Sequence, residues 1–239
     1  MVELALATTS IKVRIPRKNE PVKRPMLSGI GQNQGRVKMK KMTALSFAAL
    51  ICIALPFGIA QADTKALADK CDNCHGKDGN SEDTKVPNIA GMSAVYISDT
   101  LKAYLSGDRI GVKYKPKNGD ESDMEKVANK LSDDDINAIS DYYAGKTFQV
   151  HAQEFDAAMA AKGKKKFDKE CDKCHSEGGT VADDDAGILM GQWKPYLQEQ
   201  FKLFDDGTRL MTKKMRKKFE KLNDEEKADI LEYLASGKP

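Results

Sequence analysis

The sequence has few cysteines, few histidines and few aromatic residues. Among its 239 residues are five cysteines, three histidines and one tryptophan, and 7% are aromatic. Four of the five cysteines form two C-x-x-C pairs, which leaves no spare pair for a disulfide framework. No segment shows the two-residue alternation of polar and apolar side chains that is typical of a long strand. These shortages exclude a disulfide scaffold and a sheet-based fold.

The chain also lacks positive charge once its N-terminus is set aside. Its formal net charge is +3, but residues 1–62 hold ten of the 39 Lys and Arg and only two of the 36 Asp and Glu. The remaining residues carry 29 basic and 34 acidic side chains, a net charge of −5. The basic balance therefore belongs to the N-terminal segment and does not predict nucleic-acid binding.

Residues 39–62 have the organisation of a signal peptide. A basic start, Met39–Met42, precedes an uncharged apolar stretch from Thr43 to Ala60 and the small-x-small sequence Ala60–Ala62. We predict cleavage after Ala62, export to the periplasm and no stable membrane insertion afterwards; an uncleaved membrane anchor is the alternative. Residues 1–38 resemble neither a signal nor a domain, so we predict that translation starts at Met39 or Met42.

Two pentapeptides carry the chemistry of this chain. Cys71–His75 reads C-D-N-C-H and Cys171–His175 reads C-D-K-C-H. C-x-x-C-H is the attachment pattern for a c-type haem: both thiols can reach one porphyrin, and the histidine then lies beneath the ring. One such motif could be chance or a zinc half-site. Two of them, one hundred residues apart, predict two covalently bound haem c groups held by the thiols of four cysteines, Cys71, Cys74, Cys171 and Cys174.

The surroundings of the two motifs form an internal repeat. Pairs of identical residues are separated first by one hundred positions and then by ninety-one, so the second half lacks nine residues in one loop. The repeat predicts two domains, residues 63–150 and 151–239, with His151 as a solvated linker residue. The paired residues include Gly91 with Gly191, Tyr96 with Tyr196, Arg109 with Arg209, Met124 with Met215 and Leu131 with Leu222.

The predicted fold class is all-α, because each domain shows the signals of three helices. One helix leads into the haem motif, at 64–70 or 157–170, and a middle helix ends near Gly107 or Gly207. The last helix starts after Ser132 or Asn223, each of which is followed by three acidic residues. Since each domain has fewer than about ninety residues, we expect its core to depend on the haem.

Each iron is expected to have a histidine and a methionine as axial ligands. His75 and His175 end the two motifs. Met124 and Met215 each lie seven residues before a leucine that leads into the last helix, a shared register that favours Met215 over Met211. Methionine raises the reduction potential and closes the site to exogenous ligands, which suits electron transfer.

A ligating imidazole usually donates its other N–H to a carbonyl group. Pro87, twelve residues after His75, is well placed to present that carbonyl, whereas Gly187 stands at the equivalent position of the second domain. Unequal bracing would separate the two potentials.

Each half resembles a class I cytochrome c domain, and the tandem resembles the cytochrome c4 family of periplasmic dihaem electron carriers. The second half also resembles the haem subunit of flavocytochrome c sulfide dehydrogenase, through Gly191–Leu197 and Lys213–Met215. The resemblance implies a protein that is not an enzyme on its own and exchanges electrons with redox partners. Such partners are an FAD-containing sulfide dehydrogenase subunit or a terminal oxidase. A peroxidase-like dihaem enzyme with one open iron site is the alternative.

Five basic residues surround Met215, whereas residues 63–150 have a net charge of −4. We expect this basic patch to steer an acidic electron partner, and a merely solvated helix face is the alternative. The patch consists of Lys213, Lys214, Arg216, Lys217 and Lys218.

Overall fold

The computed structural model describes residues 58–117 and 119–239, with side chains from residue 63 onward. Nine α-helices and two short 3-10 helices lie within these residues, and the one pairing of extended segments among them is an isolated bridge between Tyr114 and Ser122. The predicted all-α class is confirmed. The helices are α1 Gly58–His75, α2 Ala94–Ser106, α3 Met124–Ala128, α4 Asp133–Ala144, α5 Ala157–Glu170, α6 Ser176–Gly179, α7 Lys194–Asp205, α8 Lys213–Phe219 and α9 Asp224–Ala235.

The predictions for residues 1–57 lie outside the described residues, and the predicted cleavage site after Ala62 falls within α1. No helix in the described part of the chain is both long enough and apolar enough to cross a membrane.

The predicted starts of the two last helices are confirmed. The side chain of Ser132 accepts a hydrogen bond from the Asp135 amide, and the Asp135 carboxylate accepts one from the Ser132 amide. Asn223 and Glu226 form the same reciprocal pair at the start of α9. Each reciprocal pair is a capping box, and it satisfies backbone donors that the first helical turn leaves without partners. Because both boxes are local, the sequence alone is sufficient to define them.

Each half packs its own core from these helices. In the first half, α1, α2 and α4 contribute buried apolar residues, and in the second half α5, α7, α8 and α9 do so. The first core contains Ala68, Ile97, Leu101, Ile136, Ile139 and Tyr143. The second contains Phe167, Leu197, Phe219, Ile230, Leu231 and Leu234.

The internal repeat recurs in the backbone hydrogen bonds. The Gly79 carbonyl accepts from the amides of residues 89 and 90, and the Gly179 carbonyl accepts from those of residues 189 and 190. The Gly91 amide donates to the Tyr143 carbonyl and the Gly191 amide to the Leu234 carbonyl, so the separation falls from one hundred to ninety-one as the sequence predicts.

The two halves belong to one compact unit and contact each other through buried polar groups. The Trp193 indole N–H donates to the Ser81 carbonyl at 2.8 Å, and the Tyr196 amide donates to the Thr84 carbonyl at 3.1 Å. The Arg109 guanidinium donates to the Tyr196 hydroxyl at 3.0 Å. Loop and helix-start residues of one half are therefore fixed by the other.

His151 is not a solvated linker residue, so that prediction is wrong. Its ring is half-buried and stacks on the ring of Trp193, with the centroids 4.9 Å apart and the planes 12° from parallel. The Trp193 indole is itself hydrogen-bonded to the first half, so the linker residue His151 packs against the contact between the halves.

Candidate haem sites

The first motif forms the last turn of α1, which carries Cys71, Cys74 and His75. Cys71 is half-buried and packs against the first core, and its thiol lies 3.6 Å from the Leu67 carbonyl. His75 is 7% exposed, and burial lowers its pKa below the ordinary value. The imidazole is therefore held neutral, which is the form that binds metals.

The Nδ1 atom of His75 lies 2.9 Å from the Pro87 carbonyl oxygen. Because a carbonyl can only accept, Nδ1 carries the proton and donates it, and Nε2 is left without a proton. This tautomer presents Nε2 as the atom that can bind iron. The expectation that Pro87 braces this histidine is confirmed.

An aspartate between the cysteines ties each motif to the loop that follows it. The Asp72 carboxylate accepts hydrogen bonds from the Asp78 amide at 3.1 Å and from the Tyr143 hydroxyl at 2.7 Å. The Asp172 carboxylate accepts one from the Gly178 amide at 3.1 Å. The sequence analysis did not single out these two aspartates, although both motifs share the sequence C-D-x-C-H, which could have indicated them.

The second motif differs from the first at its histidine. Burial lowers the pKa of His175, but its buried Nδ1 has no hydrogen-bond partner among the described residues. Gly187, which stands where Pro87 stands in the first half, has φ = +78° and lies against the ring of Tyr96. A Cβ at position 187 would come within 2.6 Å of that ring, so a proline is sterically excluded. The two halves therefore differ in residue type at this position because Tyr96 of the first half packs against the second.

The two predicted methionine ligands lie in helices that begin at different places but end in the same register. Met124 begins α3, is half-buried and packs against the first core, whereas Met215 is the third residue of α8 and is half-buried. The helices end in register: the amide of residue 129 donates to the carbonyl of 125, and that of 220 to the carbonyl of 216. Met211, the competing residue, packs against the second core.

The four thiols lack the surroundings of a zinc site among the described residues. Burial raises the pKa of the Cys71 thiol, and likewise that of Cys171, to about 11, so neither is a thiolate at neutral pH. The four cysteines of the two motifs form no disulfide, and in the part of the chain that the structure describes, no group of three or more His, Cys, Asp or Glu side chains could hold a metal ion. The zinc alternative has no support there.

Two guanidinium groups lie where the halves meet. Arg109 is 6% exposed and donates to Gln200 Oε1 at 3.0 Å, and Arg209 donates to the same oxygen at 2.7 Å. Among the described residues neither arginine forms an ion pair with a carboxylate. A buried cation without a counter-ion is costly, so this place suits an added anionic group such as a haem propionate.

Comparison with known proteins agrees with this geometry. The sequence model of the family described as Cytochrome c matches residues 61–144 and 160–238. Cytochrome c4 from Pseudomonas aeruginosa is 28% identical over 210 residues, which is 81% of this chain and 98% of that protein. The thiosulfate dehydrogenase electron acceptor from Thiomonas intermedia is 26% identical over 183 residues, covering 72% of this chain and 79% of that protein. The crystal structure of reduced cytochrome c4 from Pseudomonas stutzeri superposes with a TM-score of 0.60 at 28% identity, covering 74% of this chain and 97% of that one.

Proposed function

Because the chain belongs to the cytochrome c family and is a dihaem electron carrier of the cytochrome c4 type, we propose that each iron has one histidine and one methionine ligand. Cys71 and Cys74 would hold the first haem, in residues 63–150, and Cys171 and Cys174 the second, in residues 151–239. The iron ligands would be His75 with Met124 and His175 with Met215. The observation that carries this proposal is the shared backbone register at the ends of α3 and α8, where the bonds from residue 129 to 125 and from 220 to 216 keep the separation of ninety-one that also relates Met124 to Met215.

When bound, each haem c supplies a one-electron iron couple. The residues of the chain provide a neutral imidazole, a thioether and a largely apolar surrounding for each group. Arg109 and Arg209 would offer positive charge to the propionates. The signal-peptide pattern of residues 39–62 supports the periplasm as the place of action.

We favour a thiosulfate-oxidising enzyme as the electron donor. The sulfide dehydrogenase resemblance rests partly on Gly191, Gln192 and Trp193, and the latter two are buried against the first half of this same chain. That stretch therefore has a role in joining the domains and carries little weight for a flavoprotein partner. The relative from Thiomonas intermedia is a thiosulfate dehydrogenase electron acceptor, which supports the other choice.

The partner is tested by purifying the tagged protein from its native cells and identifying what remains bound. We expect a thiosulfate dehydrogenase to co-purify, and we expect thiosulfate with that enzyme to reduce both haems. Sulfide with a bound flavoprotein serves as the comparison. Reduction by the sulfide system alone would contradict the proposed partner and restore the flavocytochrome c alternative.

The α8 cationic face, defined as Lys213, Lys214, Arg216 and Lys217, is exposed beside Met215. Lys218 of the same helix instead pairs with Glu170 at 2.9 Å. The four residues of the face form no ion pair within the described part of the chain, so their charge is uncompensated locally. Such a surface increases the encounter rate with an acidic partner, and salt weakens the effect.

We therefore expect charge reversal at three of these positions, K213E, K214E and K217E together, to slow association with the electron partner. The expected loss at low ionic strength is about tenfold or more, measured by stopped-flow reduction. The matched control reverses three exposed lysines of the first half, K102E, K117E and K130E, and should have a much smaller effect. An association rate that does not change with ionic strength would show that the α8 cationic face is only a solvated helix face and does not steer the partner.

A further inference from the structure

One glutamine of the second half is bonded to both backbone groups of a residue in the first half. The Asn88 amide donates to Gln192 Oε1 at 3.1 Å, and Gln192 Nε2 donates to the Asn88 carbonyl at 2.7 Å. The two residues are 0% and 1% exposed, respectively. A buried amide bonded in this reciprocal way is held at two points, so the position of Gln192 is coupled to that of the Asn88 backbone.

The Asn88 amide N–H belongs to the same peptide group as the Pro87 carbonyl. That carbonyl accepts the hydrogen bond from His75 Nδ1 at 2.9 Å. The chain of donors and acceptors therefore runs from His75 through one planar peptide group to Gln192. Because electrons are delocalised over the peptide group, an acceptor at its N–H makes its oxygen a stronger acceptor.

The peptide group is also held in place from its other side. The Asn88 side chain accepts from the Ser81 amide at 2.7 Å and donates to the Gln149 carbonyl at 2.9 Å. With Asn88 fixed at its side chain and at its backbone, the Pro87 carbonyl has a defined direction toward His75. The contact between the halves thus reaches the imidazole through one rigid unit.

We propose that Gln192 is a positioning residue for His75 and that it lowers the reduction potential of the first haem. The inference rests on the proposed ligation of that haem by His75. A stronger hydrogen bond from Nδ1 makes the imidazole a more basic ligand, which favours the oxidised iron. His175 lacks a partner at Nδ1, so the effect is confined to the first haem and contributes to separating the two potentials.

The test is the variant Q192M in the full-length protein with both haems attached. Methionine keeps the shape of the side chain and removes both hydrogen bonds to Asn88. We expect the midpoint potential of the first haem to rise and that of the second to stay unchanged, followed by NMR of the haem methyl resonances during redox titration. Exchange of the His75 Nδ1 proton with deuterium in the reduced protein should also become faster.

Two further variants separate tuning from a purely structural role. W193F removes another hydrogen bond of the same interface, that from the indole to the Ser81 carbonyl, and should leave the first potential unchanged. Q192E keeps an oxygen that can accept from the Asn88 amide and adds negative charge to it, so its first potential should lie below that of the unaltered protein, and it serves if Q192M does not fold. Equal shifts of both potentials, or an unchanged first potential in Q192M or Q192E with two haems attached, would overturn the role of Gln192. Carbon monoxide binding at the first iron of the unaltered protein would instead contradict the proposed ligation by Met124 and leave the role of Gln192 at His75 to the Q192M result.

Discussion

Replacement of Met215 by alanine is expected to remove the sixth ligand of the second haem iron and to open that position to exogenous ligands. Methionine ligation raises the potential of a c-type haem, so the second potential should fall by a sizeable fraction of the roughly 0.8 V that axial ligands span. Carbon monoxide should then bind to the reduced protein at one iron of the two. Redox titration and carbon monoxide difference spectra measure both effects.

Met211 provides the matched control, since it is the competing methionine of the same segment. It is half-buried and packs against the second core, so M211A should lower the stability by up to about 2 kcal/mol and leave the potential unchanged. M124A should reproduce the M215A result at the first haem. The ligand assignment would be wrong if M211A rather than M215A opened the site. Carbon monoxide binding by the unaltered protein would favour the peroxidase-like alternative.

Substitution of both Cys171 and Cys174 by serine is expected to lower the covalent haem content from two groups per molecule to one. Serine hydroxyls form no thioether with a porphyrin, whereas the first motif is untouched. Cys171 packs against the second core, so the absence of the haem also leaves that core without its largest apolar body. We therefore expect the second half to lose its cooperative unfolding transition. Pyridine haemochrome analysis and thermal circular dichroism measure the two effects.

The matched control is C52S, which alters the one cysteine outside the motifs. We expect it to leave the haem content at two, because Cys52 lies in the predicted signal peptide. A double variant that kept two covalent haems would contradict the assignment of the motif. A haem-free second half with normal thermal stability would show that its protein core suffices, contrary to the expectation drawn from domain size.

Several elements could be predicted because their determinants lie within a few residues of one another. The start of α4 is defined by Ser132 and Asp135, three positions apart, and α5 begins and ends at the predicted residues 157 and 170. The Pro87 brace of His75 spans only twelve residues, so the usual hydrogen bond of a ligating imidazole and the position of Pro87 are enough to predict it. The wrong prediction, His151, concerns a residue whose surroundings are decided by a distant tryptophan.

By itself the sequence determined the two C-x-x-C-H motifs, six of the nine described α-helices, the caps that start α4 and α9 and the register of the repeat, since each follows from neighbouring residues or from comparison of the halves. Only the tertiary structure decided that the second half reaches the first at the peptide group behind His75, across 104 residues of sequence. It also decided that Tyr96 occupies the space beside Gly187, which excludes a proline there, and that His175 Nδ1 has no partner among the described residues. The physical reason is that a hydrogen bond or steric contact between distant segments depends on how the halves pack, and no local pattern of residues encodes that packing.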